Sequence, residues 1–172
     1  MKPALLAVVG RKGAGKAAVL EALVGLLKEK GLRVGVIKHV AREDFEVDEP
    51  GKDTYGYRKR GAETVMLLGR KKRAVFSDLP EASGWKENLN YFEGFDLVFL
   101  EGYFTDEVPM LEVYKEEAGQ PLLAGRKIFF AVCAEVPTRI QAPHFSFNAL
   151  EELAHFIRIS FLLPDAARPV LL

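Results

Sequence analysis

Continuous apolar runs alternate with amphipathic stretches along this chain. Ala4 to Val9 has no polar alternation, the mark of a strand buried on both faces. From Lys16 to Glu29 the apolar residues Val19, Leu20, Leu23 and Leu27 recur at helical spacing, so they share one face. Lys28 and Lys30 suit the negative end of that helix, and Gly31 can take the left-handed stop. Arg33 to Lys38 predicts a second buried strand. Residues 39–53 are polar and acidic without periodicity. Asp53 to Arg60 predicts a short helix. Glu63 to Leu68 and Ala74 to Ser77 predict strands joined by Gly69 to Arg73. A short helix is expected around Trp85 to Phe92, then strands at Leu97 to Leu100, Met110 to Tyr114 and Ile128 to Cys133. Asn148, with Glu151 three residues on, resembles a capping box. The helix it opens would bury Leu150, Leu153, Ala154, Ile157 and Phe161 and end at Pro164. Strands alternating with helices predict an α/β fold in three layers, a mostly parallel sheet with helices on both faces. Ligands of such sheets bind at the carboxyl ends of the strands.

The length, 172 residues, suits one domain. It is expected to span 1–163, with 164–172 as a C-terminal tail. Lys and Arg balance Asp and Glu at 24 each. A zero net charge gives no support to bulk nucleic-acid binding or to attachment at an anionic membrane, so neither is expected as a partner. Cys133 is the one cysteine, which excludes an intramolecular disulfide or a Cys-based zinc cluster and fits a reducing compartment. Its apolar surroundings predict a buried, inert thiol rather than a reactive one. The early apolar run is too short for a signal h-region, and no stretch approaches the ~20 apolar residues of a membrane span. The cytoplasm is the expected location.

Chemistry concentrates first at Gly10-Arg11-Lys12-Gly13-Ala14-Gly15-Lys16-Ala17, between the first strand and the first helix. The run follows G-x-x-x-x-G-K-[ST], the phosphate-binding P-loop, up to its last position, where Ala17 replaces the hydroxyl residue. Gly10, Gly13 and Gly15 let backbone N–H groups close around phosphate oxygens, helped by the positive end of the helix. Lys16 is expected to reach the β- and γ-phosphates. Gly10, Arg11, Lys12, Gly13, Ala14, Gly15, Lys16 and Ala17 together form the candidate nucleotide segment of a P-loop NTPase-like fold. The competing reading is a glycine-rich βα turn without a ligand. The hydroxyl that Ala17 lacks normally ligates Mg²⁺, so weaker metal binding and slower phosphoryl chemistry are expected.

Leu97 to Glu101 has the form of a Walker B strand. Glu101 stands at its ligand end as a metal or water-positioning carboxylate, or as a solvated strand terminus. Asp96 is at the wrong end. Asp48-Glu49-Pro50-Gly51-Lys52-Asp53 is a defined charged bend. Asp48 and Asp53 could bind Mg²⁺ or orient water, and Lys52 could meet phosphate; otherwise the segment is a solvated turn with Asp53 as a helix cap. His39 is either a ligand contact or a structural histidine. His144 and His155 lack metal spacing. Arg70 to Arg73 is a solvated hairpin turn or a surface for an anionic ligand or a partner.

These segments in this order resemble molybdopterin-guanine dinucleotide biosynthesis protein B (MobB). The specific matches are Ile37-Lys38-His39, Val47-Asp48 with Pro50-Gly51-Lys52-Asp53-Thr54, Arg58 through Gly61-Ala62, and Leu100-Glu101-Gly102-Tyr103. The likeness covers residues 4–115 well and is architectural beyond. It implies a P-loop protein, usually a homodimer, that binds GTP with weak GTPase activity. It also implies assistance to a partner nucleotidyltransferase that attaches GMP to molybdopterin, with molybdopterin itself a further candidate ligand. By matching position, Gly13, Gly15 and Lys16 would cradle phosphate, Lys16 and Glu101 would serve any catalysis, Glu101 and Asp48 would sit near Mg²⁺, and Lys52 and Asp53 would line the same rim. The departures fall in or near that site. Ala17 replaces a hydroxyl residue, Ala41 and Arg42 stand where further histidines are frequent, and Phe104 stands where a lysine is common. There is no Asn/Thr-Lys-x-Asp guanine-reading motif, so GTP over ATP rests on the resemblance alone. Two other classes stay open. A small-molecule P-loop kinase would require a phosphoacceptor pocket and an arginine-bearing lid, for which Arg126 and Arg139 could be recruited although nothing marks a lid, and a non-hydrolysing scaffold would keep the loop as a relic.

Overall fold

The computed structural model describes residues 2–42, 45–80, 83–119, 129–138 and 141–163. In chain order the elements are β1 Ala4–Val9, α1 Lys16–Glu29, β2 Val34–Lys38, α2 Asp53–Lys59, β3 Thr64–Leu68, β4 Arg73–Ser77, β5 Leu97–Glu101, β6 Met110–Tyr114, β7 Phe129–Ala134, β8 His144–Phe145 and α3 Leu150–Ile157. Single 3₁₀ turns occupy Leu89–Phe92 and Glu116–Ala118, and α3 runs on into a π-helical turn, Arg158–Leu162. Among the described residues no helix is long and apolar enough to cross a membrane. The chain divides into two compact units, one made of residues up to 39 and from 88 onward, the other of residues 40–87.

The first unit is built on a six-stranded sheet in the order β2-β5-β1-β6-β7-β8, parallel throughout. β1 is interior. From it α1 carries the chain out to β2 on one side, while β6, β7 and β8 build out on the other. Strand order therefore reverses at its carboxyl end, which is where open α/β sheets bind ligands. Leu6, Val8, Leu97, Phe99, Leu111, Val113, Ala131 and Cys133 form one face of the core with Val19, Leu20, Leu23 and Leu27 of α1 and Leu153, Ala154 and Ile157 of α3. The helical stripe read from the sequence is the buried stripe. Burying each such large side chain contributes roughly 1.5–3 kcal/mol. The alternate positions Ala7, Val98, Leu100, Met110 and Val132 are equally shielded from solvent, so the central strands are buried on both faces, as unbroken apolar runs require; β2, expected to be buried, lies at the sheet edge with only Gly35 buried and Val36 and Lys38 exposed.

Boundaries of β1, α1 and β6 agree with the sequence reading. Gly31 takes the left-handed conformation (φ 82°), and its N–H donates to Lys28 O, so α1 stops where expected. Other details differ. The capping box at Asn148 does not form: Ala149 is the N-cap, no side chain caps the helix, and Ala149 N–H donates to Ser146 O in a preceding turn. That turn delays helix entry by one residue, which breaks the spacing to Glu151. Leu150 and Phe161 are half-buried, whereas Leu153, Ala154 and Ile157 form the buried stripe. The helix expected at Trp85 to Phe92 reduces to the 3₁₀ turn, with Phe92 packed on Gly35 of β2. Asp53 lies in the first turn of α2 rather than at its cap, which is Lys52. Ile128, Pro164, the tail 164–172 and the arginines Arg126 and Arg139 lie outside the described residues.

The second unit holds α2 and the antiparallel hairpin β3-β4. Arg58 organises it. Its Nη1 donates to Glu46 Oε1 at 2.9 Å, and its guanidinium lies 5.8 Å from the centre of the Phe76 ring. The Arg58 hydrogen bond holds the Glu46 carboxyl below the usual carboxylate range, and Glu46 in turn raises Arg58. Arg70 to Arg73 sits on the exposed turn of the hairpin, closed by Gly69 N–H to Lys72 O at 2.9 Å.

Candidate phosphate-binding site

The loop between β1 and α1 has the backbone its glycines predict. Gly10, Gly13 and Gly15 all have positive φ, of 152°, 87° and 91°. Gly10 has a second reason to be glycine, because a Cβ there would run into the carbonyl oxygen of Val113. Ala14 is buried and its N–H donates to Arg11 O at 3.2 Å, which closes the loop on itself. Lys16 folds back across it, donating from Nζ to Gly10 O at 2.7 Å and Arg11 O at 3.0 Å. Gly15 is the N-cap of α1 in the left-handed conformation, no side chain caps the helix, and no acid stands in the first turn. The first N–H groups of a helix have no intrahelical partner and carry partial positive charge. With no carboxylate of its own there, this end has the chemistry to take an anion. Ala17, on the exposed side of that first turn, contributes no oxygen.

Glu101 ends β5 beside the loop strand, in register with Val8 on one side and Lys38 on the other. Its carboxylate is not a bare terminus. Lys38 Nζ donates to Oε1 at 2.9 Å and to Oε2 at 3.0 Å. Spacing did not single out Lys38 for this role, since the pair is joined only by strand register. Gly102 (φ 80°) donates its N–H to Val8 O at 2.9 Å, tying the end of β5 to β1. His39 is exposed, its ring centre 5.0 Å from that of Tyr103, whose phenol is pushed up by burial. Cys133 is buried among apolar side chains, which pushes its thiol up to about 12 and leaves it inert at neutral pH.

The acidic bend belongs to the second unit. Asp48 is 8% exposed, the deepest acid there. Its Oδ1 accepts from Thr54 Oγ1 at 2.9 Å and Glu49 N–H at 3.0 Å, while the buried Oδ2 makes no hydrogen bond among the described residues. An orphaned carboxylate oxygen of this kind fits a cation or a ligand donor. Lys52 and Asp53 are exposed beside it; Lys52 Nζ is 3.7 Å from Glu49, an ion pair worth little in solvent. Among the described residues no three His, Cys, Asp or Glu side chains gather as a metal-ligand group. The loop thus fits phosphate well. Ala17 and the paired Glu101 fit Mg²⁺ poorly.

The family model described as molybdopterin guanine dinucleotide synthesis protein B matches residues 5–135. The chain is 30% identical over 162 residues to the molybdopterin-guanine dinucleotide biosynthesis adapter protein of Escherichia coli, covering 89% of this chain and 90% of that one. The adapter protein of Haemophilus influenzae is 28% identical over 155 residues, covering 89% and 86%. The crystal structure of Bacillus subtilis MobB superposes with a TM-score of 0.71 at 22% identity, over 94% of this chain and 99% of that one, a likeness of fold. With glycine loop, parallel sheet and the Glu101 strand all in place, the chain belongs to the MobB family.

Proposed function

We propose that this protein is a GTP-binding adapter in the cytoplasmic synthesis of molybdopterin-guanine dinucleotide, with weak or absent GTPase activity. Its partner would be the nucleotidyltransferase that joins GMP to molybdopterin. The observation that carries the proposal is the Gly10–Ala17 loop with Lys16 folded across it, at the uncapped, acid-free start of α1. Backbone N–H groups of that loop bind the phosphates, and Lys16 exchanges its two carbonyl partners for phosphate oxygens. Magnesium assists such sites by bridging phosphates and neutralising charge. In this chain Ala17 offers no ligand and Glu101 is engaged by Lys38, so the first unit favours binding over hydrolysis. Within the second unit Asp48, with its orphaned oxygen, is the strongest metal candidate, and Lys52 and Asp53 follow it in the same bend. Molybdopterin and a second copy of the chain complete the expected partners. A non-hydrolysing scaffold reading differs only in degree, and the same Lys38–Glu101 pair supports it.

Calorimetric titration with GTP, GDP and ATP, each with and without Mg²⁺, tests the proposal. The expected result is binding of both guanine nucleotides with a magnesium effect below about tenfold, since Mg²⁺ would be held mainly by water and nucleotide oxygens. Binding of no nucleotide would overturn it.

A further inference from the structure

We propose that Lys38 is a phosphate ligand standing where a P-loop site would hold its metal, so that this protein carries its own cation and binds the phosphates of a nucleotide without Mg²⁺. This rests on the nucleotide-binding reading above and adds a second lysine to that site.

Strand register places this lysine. Lys38 of β2 pairs with Glu101 of β5, and Glu101 pairs with Val8 of β1. Residues directly opposite one another across a sheet share a face. Val8 belongs to the face that packs against α1, in one core with Val19, Leu20 and Leu23. Glu101 and Lys38 therefore stand on the α1 side of the sheet, at the carboxyl ends of their strands. Gly10, where the loop begins, is two residues beyond Val8. Neighbouring strands are only about 4.8 Å apart, so Glu101 stands within a side chain's reach of the loop. Lys38 leans in from the edge strand to meet it.

The ammonium is held as a cation at a strand-end carboxylate would be. It grips both oxygens of Glu101, Oε1 at 2.9 Å and Oε2 at 3.0 Å, which fixes its position. An ammonium has three N–H donors. Two go to Glu101, and the third has no acceptor among the described residues. The lysine is exposed while the carboxylate it grips is buried, so that third donor faces outward. A positive charge held in place with one donor unused is a ligand for an anion. The neighbouring residues leave it this task. Ala17 offers a metal no oxygen, and both oxygens of Glu101 are engaged. Metal ions in such sites neutralise the β- and γ-phosphate oxygens. Lys38 can do so with one charge instead of two, beside the charge that Lys16 brings from the loop. A single ammonium suits holding phosphates more than driving their transfer, in keeping with an adapter.

The test uses the full chain, with GTP and inorganic tripolyphosphate as probes, in EDTA and in Mg²⁺. Wild type should bind both probes in EDTA. Lys38→Met should weaken that binding by more than about tenfold, through the lost bond and through the bare carboxylate left beside the phosphates. The double variant Lys38→Met/Glu101→Gln removes both charges and separates these causes. It should still bind about tenfold more weakly than wild type, the scale of one hydrogen bond to a charged group. Lys28→Met, which removes a lysine from the last turn of α1, should bind as wild type does. Lys38→Met should also show a larger magnesium effect on GTP affinity, because the metal can then reach Glu101. Urea denaturation shows that each variant is folded. Wild-type affinity in the double variant would mean that Lys38 only neutralises Glu101, and would overturn the proposal. An equal loss in Lys28→Met, or a wild type that binds only with Mg²⁺, would overturn it too. Each of these outcomes leaves the nucleotide-binding reading standing. Failure of wild type to bind GTP with or without Mg²⁺ would remove that reading and the inference with it.

Discussion

Lys38 and Glu101 hold each other through both carboxylate oxygens, at the end of the strand where a P-loop protein would otherwise present a metal ligand. The lysine side chain is 59% exposed and the glutamate 11%, so the attraction is screened on one side only. An ion pair of this kind contributes at most about 1 kcal/mol, little enough for a divalent cation to compete with it. The sign of a substitution follows. Lys38→Met removes the competitor and releases Glu101. In the presence of GTP it should tighten Mg²⁺ binding by up to about fivefold, the equivalent of that pair energy. Ala17→Thr supplies the missing hydroxyl and should also tighten it, and because both changes act on the same ion their effects should couple rather than simply add. Magnesium titration of the nucleotide complex measures both. Unchanged magnesium constants in the two variants would show that neither residue sets the metal affinity.

At the level of elements, β2 is an edge strand of the sheet, and its fit depends on a missing side chain. Gly35 is buried with ordinary backbone geometry, but a Cβ there would overlap the ring of Phe92, which also meets Phe95 edge-on with centroids 5.4 Å apart. Gly35→Ala should therefore destabilise the protein by roughly 1–3 kcal/mol through overpacking. Phe92→Leu in the same chain should recover part of the loss. A double-mutant cycle from urea denaturation measures the coupling, and strict additivity would rule out the clash as its cause. The pair also marks where sequence reasoning stops. β1, the glycine loop and α1 were legible because each is a local pattern: an apolar run, positive-φ glycines, a helical stripe. The Lys38–Glu101 pair was not, because its partners are 63 residues apart and meet only through the register of β2 on β5. Lys115 and Phe147 reach Gly15 from two further segments, and neither belongs to a motif of its own spacing. β8 is two residues long, too short to show any period. Asn148 failed in the opposite way, since its local signal was present but a turn upstream moved the helix start.

For the whole molecule, the second unit bears most directly on the state of assembly. Among the described residues its sheet has two strands, so β3 and β4 each leave one edge unpaired within that sheet. Met66, Leu67 and Leu68 are consecutive on β3 and are 54%, 50% and 78% exposed. Consecutive strand residues face opposite ways, so the hairpin shows apolar side chains on both of its faces. Two strands alone are marginal in water, and a cluster of exposed large apolar residues is the usual mark of an interaction surface. The basic turn, Arg70 to Arg73, repels its own copy and so disfavours open-ended stacking of hairpins tip to tip. A closed, two-fold pairing of chains that shields β3 meets these conditions, and it agrees with the homodimer expected from the family resemblance. The purified protein should sediment as a dimer. Leu68→Glu should shift it toward monomer at micromolar concentration, because a carboxylate would be desolvated in the interface, while tripolyphosphate binding at the Gly10–Ala17 loop should persist. A wild type that sediments as a monomer, or a Leu68→Glu variant that stays dimeric, would move the apolar hairpin from self-association to contact with a different protein.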